Sequence, residues 1–142
     1  MAVAKSQEAE FYPYKLIGSL LTPTEKGFFT ALKMAAGKRY MVFPKVRLLD
    51  LCQDLDGWTD TAAFNHVSQK HVDFLLCDPE TFRPVLAVEL DDRSHLRART
   101  RVRDGDKDEV LRTMGLGVYR QWVRRSYDPA AIARGIEDQL TP

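Results

Sequence analysis

Cysteine is scarce in this sequence: Cys52 and Cys77 are the two it has, too far apart to form a metal-ligand pair and each set among apolar neighbours. That spacing argues against a zinc finger and a disulfide framework and favours two small buried thiols. Long apolar runs are missing as well. No stretch approaches the roughly 20 residues that span a bilayer, and the opening MAVAKSQEAE lacks the apolar middle of a secretory signal, so we expect a cytoplasmic protein with no membrane partner. There is no internal repeat, no low-complexity stretch and no linker rich in Pro, Gly and Ser. There is also no Gly-rich phosphate loop, which argues against a hydrolase of small phosphate substrates. What remains is 142 residues with 44% hydrophobic content, enough for one core. We expect a loose leader over 1–15 and a single domain over 16–142.

The formal net charge of +1 hides a segregation. Residues 1–49 carry eight Lys or Arg against three acids, residues 50–92 two against ten, and residues 93–142 eleven against seven. An acidic centre between basic flanks suits a protein that gathers a cation at its middle and a polyanion around it. Solvated faces of ordinary elements are the competing explanation.

Helix and strand signals alternate along the chain. Thr22-Pro23-Thr24-Glu25 combines an N-cap Thr, Pro at the first helical position and Glu three residues after the cap. Phe28, Phe29 and Leu32 give that helix an apolar face, and Gly37 ends it. Residues 40–46 read as a strand in which Pro44 points to an edge or a bulge, followed by a short helical or irregular acidic stretch through Trp58. Residues 71–77 and 83–90 read as two strands joined at the turn Asp78-Pro79-Glu80-Thr81. Residues 101–114 fit a helix ended by Gly115 and Gly117, residues 118–123 a fourth strand, and residues 129–140 a last helix with Ile132, Ile136 and Leu140 on one side. A hairpin, a helical crossover and a further strand imply an α/β fold with a mixed four-stranded sheet flanked by helices.

The chemistry concentrates in HVDFLLCDPETFRPVLAVELDDRSH, residues 71–95, where acids interrupt strongly apolar strands. The strand period of two puts Glu89 and Asp91 on one face at a strand end. Asp73, 16 residues before Glu89, can come alongside on the neighbouring strand. Three convergent carboxylates repel one another unless a cation lies between them, and hard oxygen ligands suit Mg²⁺ or Mn²⁺. Such a metal lowers the pKa of bound water and neutralises charge on a phosphodiester.

Asp73-Phe74, Glu89-Leu90-Asp91-Asp92 with Ser94-His95, Arg103-Asp104 and Gly115-Leu116-Gly117 together resemble the PD-(D/E)XK, or restriction-endonuclease-like, nucleases. The resemblance runs from about Thr22 to Ile136. It is closest to the branch around the very-short-patch repair endonucleases and to an uncharacterised bacterial domain family near them. It implies a core in αβββαβ order and Mg²⁺ or Mn²⁺ held by Asp73, Glu89 and Asp91. Asp73 matches the acid of the second strand and Glu89 that of the third. The superfamily's lysine would fall at Asp91, so the pattern is broken there. In the branch resembled, Asp91 would be a ligand or position water, and His95 would act as general base or acid. Lys70 or Lys107 could supply a displaced ammonium group, and Glu25 matches the acid of the first helix.

Each residue also has a structural explanation. The capping box is sufficient for Glu25, Asp92-Arg93-Ser94 can be a polar turn with Asp92 as a cap, and His66 and His71 are taken as structural. Arg97, Arg99, Arg101 and Arg103, with Arg93 and Lys107, are placed to clamp phosphates, or else to pair with Asp104, Asp106 and Asp108. Arg120, Arg124 and Arg125 around Trp122 can line a groove, or Trp122 can pack under the last helix. The resulting expectation is a metal-dependent nuclease acting on nucleic acid, DNA before RNA. The break at Asp91 leaves open a catalytically inactive nucleic-acid-binding or assembly module, and a domain this small leaves room for a homodimer or a larger assembly.

Overall fold

The computed structural model of the protein describes residues 12–53, 55, 57, 59, 61–92 and 107–142. Residues 12–22 run without helix or strand into α1, Pro23–Ala36. The first turn of α1 is closed reciprocally: the Thr22 hydroxyl accepts from the Glu25 N–H at 3.1 Å and the Glu25 carboxylate accepts from the Thr22 N–H at 2.8 Å. Gly37, at φ 55°, ends the helix. Strand β1, Met41–Arg47, leads through a 3₁₀ turn, Leu48–Asp50, to α2, Thr61–Ser68. The hairpin of β2, His71–Cys77, and β3, Pro84–Asp91, follows. Helix α3, described over 107–114, returns the chain to β4, Val118–Trp122, and α4, Pro129–Leu140, completes the fold.

Among the described residues the sheet has four strands in the order β1-β2-β3-β4. The first two pairings are antiparallel and the last is parallel, as a helical crossover between β3 and β4 demands. Strands β2 and β3 are central and covered on both faces, which is why their sequences are nearly continuous in apolar residues. On one face Phe28 and Leu32 of α1 and Ile132 and Ile136 of α4 pack over Phe74, Leu76, Leu86 and Val88. On the other, Leu48, Val67 of α2 and Leu111 of α3 cover Leu75, Cys77 and Ala87. Cys77 is buried and Cys52 half-buried, and both are free thiols. No helix among the described residues is long and apolar enough to cross a membrane.

The expected α/β class, mixed sheet and helix-flanked layers are present. Pro44 does lie on an edge strand, where its missing N–H costs no ladder bond. Helix α2 was not foreseen. It buries only Val67 and is eight residues long, shorter than the stretch over which a helical period can be read with assurance. The N-terminal part of the helix expected over 101–114 lies outside the described residues.

Helix α4 approaches β4 closely at Gly135, where a Cβ would come within 2.3 Å of the Tyr119 ring. Gly135→Ala is therefore expected to destabilise the protein by about 1–3 kcal/mol through overpacking. Gly27→Ala, on an open face of α1 with nothing within 4 Å, should instead stabilise it by up to about 1 kcal/mol. Thermal unfolding of the two variants checks the opposite signs.

Candidate active site

The pairing Phe74↔Val88, Leu75↔Ala87, Leu76↔Leu86, carried one residue further, sets Asp73 opposite Glu89. The Asp73 N–H donates to Glu89 Oε2 at 3.2 Å, and the Leu90 N–H donates to Asp73 Oδ2 at 2.8 Å. Each carboxylate thus takes a backbone donor from the other strand. The β1 side is irregular at the same level. Lys45 stands opposite Asp73 between the paired Pro44↔Phe74 and Val46↔Val72, yet it is skipped and has φ 51°. A left-handed backbone at lysine costs about 1–2 kcal/mol, and such outliers cluster at functional sites. The Lys45 ammonium lies 3.4 Å from Glu25 Oε1.

Glu89 is 2% exposed, the one charged residue type in the described core. Lys107, on the first described turn of α3, brings its ammonium to 2.5 Å from Glu89 Oε1 and donates to the His71 carbonyl at 3.5 Å. This ammonium is the ionic partner of the buried Oε1. Burial pushes the Glu89 carboxyl up to about 8; Lys107 opposes the shift and the nearby Asp73 adds to it.

Asp91 lies on the same face as Glu89, as the strand period requires, but Arg120 claims it. Nη1 of Arg120 donates to both Asp91 oxygens, at 3.2 and 3.3 Å, and Nη2 meets Asp108. Burial works against the Arg120 charge, but Asp108 and Asp91 outweigh it and raise its pKa. On the opposite side of the sheet, a cleft of about 350 Å³ is lined by Thr22, Glu25, Asp73, Leu90, Asp92 and Val123, among others. Partial burial would raise the Glu25 carboxyl, but the Thr22 N–H and Lys45 together hold it below the usual range.

The structure brings some of the expected site residues together and separates others. Asp73 and Glu89 come together, and Glu25 lines the cleft beside Asp73. Asp91 is bound to Arg120, and among the described residues no group of three or more His, Cys, Asp and Glu is arranged to hold a metal ion. Lys70 is directed away, its ammonium donating to the His66 carbonyl at 2.6 Å on the last turn of α2. Lys107, expected among the phosphate contacts or as a displaced ammonium, stands on Glu89. Asp92, read as a turn cap, lines the cleft; the strand period that put Asp91 on one face already implied the other face for Asp92. Trp122 stays 39% exposed rather than packed under α4. His95, Arg97, Arg99, Arg101 and Arg103 lie outside the described residues.

A family model described as a protein of unknown function, DUF2726, matches residues 17–140. The chain belongs to the DUF2726 family. No curated protein and no solved structure matches it. The matched span of this DUF2726 chain contains α1, the whole sheet and α4, and so every described residue of the site.

Because Glu89 holds its proton more tightly when folded than at its ordinary 4.5, the folded state binds more protons than the unfolded state between about pH 4.5 and 8. Stability contributed by this group is present at the acid end and is lost as pH rises through that window. Melting temperatures measured across it in EDTA should fall with pH for the unmodified protein and vary less for Glu89→Gln. Parallel profiles would show that Glu89 does not titrate there.

Proposed function

We propose that this DUF2726 domain is a metal-dependent nuclease of restriction-endonuclease-like fold that hydrolyses phosphodiester bonds of DNA. The element order supports the fold assignment: a capped helix, three antiparallel strands, a crossover helix and a parallel strand, with α2 inserted between β1 and β2. The observation that carries the reading is the Lys107 ammonium on Glu89 beside Asp73. It supplies from α3 the positive group that Asp91 displaces from β3.

Asp73 on the cleft wall and the buried Glu89 behind it are neighbouring carboxylates, the donor type that suits a hard divalent cation. Asp91 fits only if Arg120 releases it. Mg²⁺ or Mn²⁺ held there would act as a Lewis acid, making water nucleophilic near neutral pH and offsetting charge on the phosphate. The protein's own groups do the positioning. Lys107 favours the ionised form of Glu89 against burial, and the Leu90 N–H fixes Asp73 on the wall of the cleft. Glu25, tied to Thr22 and Lys45, keeps a negative charge on the opposite wall. A second reading, a nucleic-acid-binding module without catalysis, is favoured by one observation: both Asp91 oxygens are occupied by Arg120.

Cleavage of plasmid and single-stranded DNA with Mg²⁺ or Mn²⁺ should be abolished by EDTA and fall to that level in Asp73→Asn. Lys107→Met should lower the rate by about 10- to 100-fold, the range for groups that orient a metal ligand. Calorimetric Mn²⁺ binding should depend on Asp73. No cleavage and no Asp73-dependent Mn²⁺ binding would overturn the enzyme reading in favour of the binding module.

A further inference from the structure

The cleft at Asp73 is not closed. It shares Thr24 and Val123 with a larger groove of about 510 Å³ that runs between α1 and the turn from β4 to α4. Gly27, Thr30, Ala31 and Met34 line its α1 wall, and a Cβ on Gly27 would meet nothing within 4 Å. Arg124 and Arg125 line the other wall. Both are exposed, and among the described residues neither has an ion-pair partner.

The turn that carries these arginines is held in place. The Tyr127 hydroxyl accepts from the Arg124 N–H at 3.0 Å, and its ring packs edge-on against Phe28 of α1, with centroids 5.1 Å apart. Asp128, the nearest acid in sequence, accepts from the Ala130 N–H at 3.0 Å and caps α4. Two guanidinium groups thus stand on a fixed turn, uncompensated, along a groove that leads into an acidic cleft.

Resting on the nuclease reading, we propose that this groove carries the phosphodiester backbone of a nucleic-acid strand as it leaves the Asp73 cleft, with Arg124 and Arg125 as its phosphate contacts. Guanidinium groups suit phosphate oxygens, and contacts of this kind fix the register of the strand without reading its sequence. The small side chains at Gly27 and Ala31 leave the space a sugar-phosphate chain needs. The path lies on the α1 and α4 side of the sheet.

The test is fluorescence anisotropy with labelled single-stranded and duplex oligonucleotides in EDTA, over a range of salt. Arg124→Ala/Arg125→Ala should weaken binding about tenfold or more and reduce the slope of log K against log salt by about 1.4 for single strands or 1.8 for duplex, the amount expected for two lost phosphate contacts. Gly27→Glu, which puts a carboxylate on the open floor, should weaken binding comparably. Arg83→Ala/Arg112→Ala removes the same charge elsewhere and should leave affinity and slope close to the unmodified protein. If the groove variants match that control while the unmodified protein binds, the groove is overturned and the nuclease reading stands. If the unmodified protein binds no nucleic acid, both fall.

Discussion

Two carboxylates at facing positions of adjacent strands repel, and burying one of them adds a desolvation cost. The β2–β3 hairpin keeps Asp73 and Glu89 together by giving each carboxylate a backbone N–H from the other strand. Most of the site follows from that exchange. The strands part at Asp73, which puts its side chain on the wall of the cleft, and β1 is interrupted at Lys45 on the same level. The Lys45 side chain then reaches Glu25, so a capping residue of α1 is tied to the interruption in the sheet.

The second constraint is that Glu89 is almost fully buried and needs a cation. The residue two positions on, Asp91, cannot serve, and the ammonium arrives from α3 instead. This requires α3 to sit at a fixed height over the sheet, which Leu111 provides by packing with Leu75 and Ala87. The crossover that begins with α3 ends in β4, whose parallel pairing sets Arg120 beside Glu89 and Trp122 beside Asp91. Arg120 then closes the charge on Asp91 and Asp108 together. The α3 crossover thus completes the electrostatics of the hairpin as well as the sheet.

Elements whose sequence pattern comes from a buried face were legible. The Thr22 to Glu25 cap was legible from its hydrogen-bonding chemistry, β2 and β3 from the apolar runs that burial on both faces demands, and the Ile132 and Ile136 stripe of α4 from the period that one buried face imposes. Helix α2, eight residues long with a single buried residue, is too short for its period to stand out. The acids were legible for a related reason, since Asp73 and Glu89 interrupt apolar runs where an unpaired carboxylate is costly. Their partners were not. Whether Asp91 meets a metal or an arginine depends on how β4 is paired, a long-range relation that spacing within residues 71–95 does not contain. Lys70 and Lys107 looked equivalent in sequence, and only the end of α2 and the placement of α3 separate them.

Charge balance bears on the nuclease reading more directly than resemblance does. Asp73 and Glu89 with Lys107, and Asp91 and Asp108 with Arg120, are two adjoining groups coupled by the charge of Arg120 on Glu89, four carboxylates to two cations in all. With every group ionised, the cluster is two charges negative, and Glu89 bears the strain as a carboxyl pushed up to about 8 by burial. A core that needed only stability would be better served by an apolar residue at position 89, because buried ion pairs seldom repay their desolvation. Retaining a buried glutamate that its lysine does not fully compensate is economical if a divalent cation completes the balance during function. On that reading, a proton on Glu89 offsets one of the two negative charges in the resting protein, and a divalent cation would offset both.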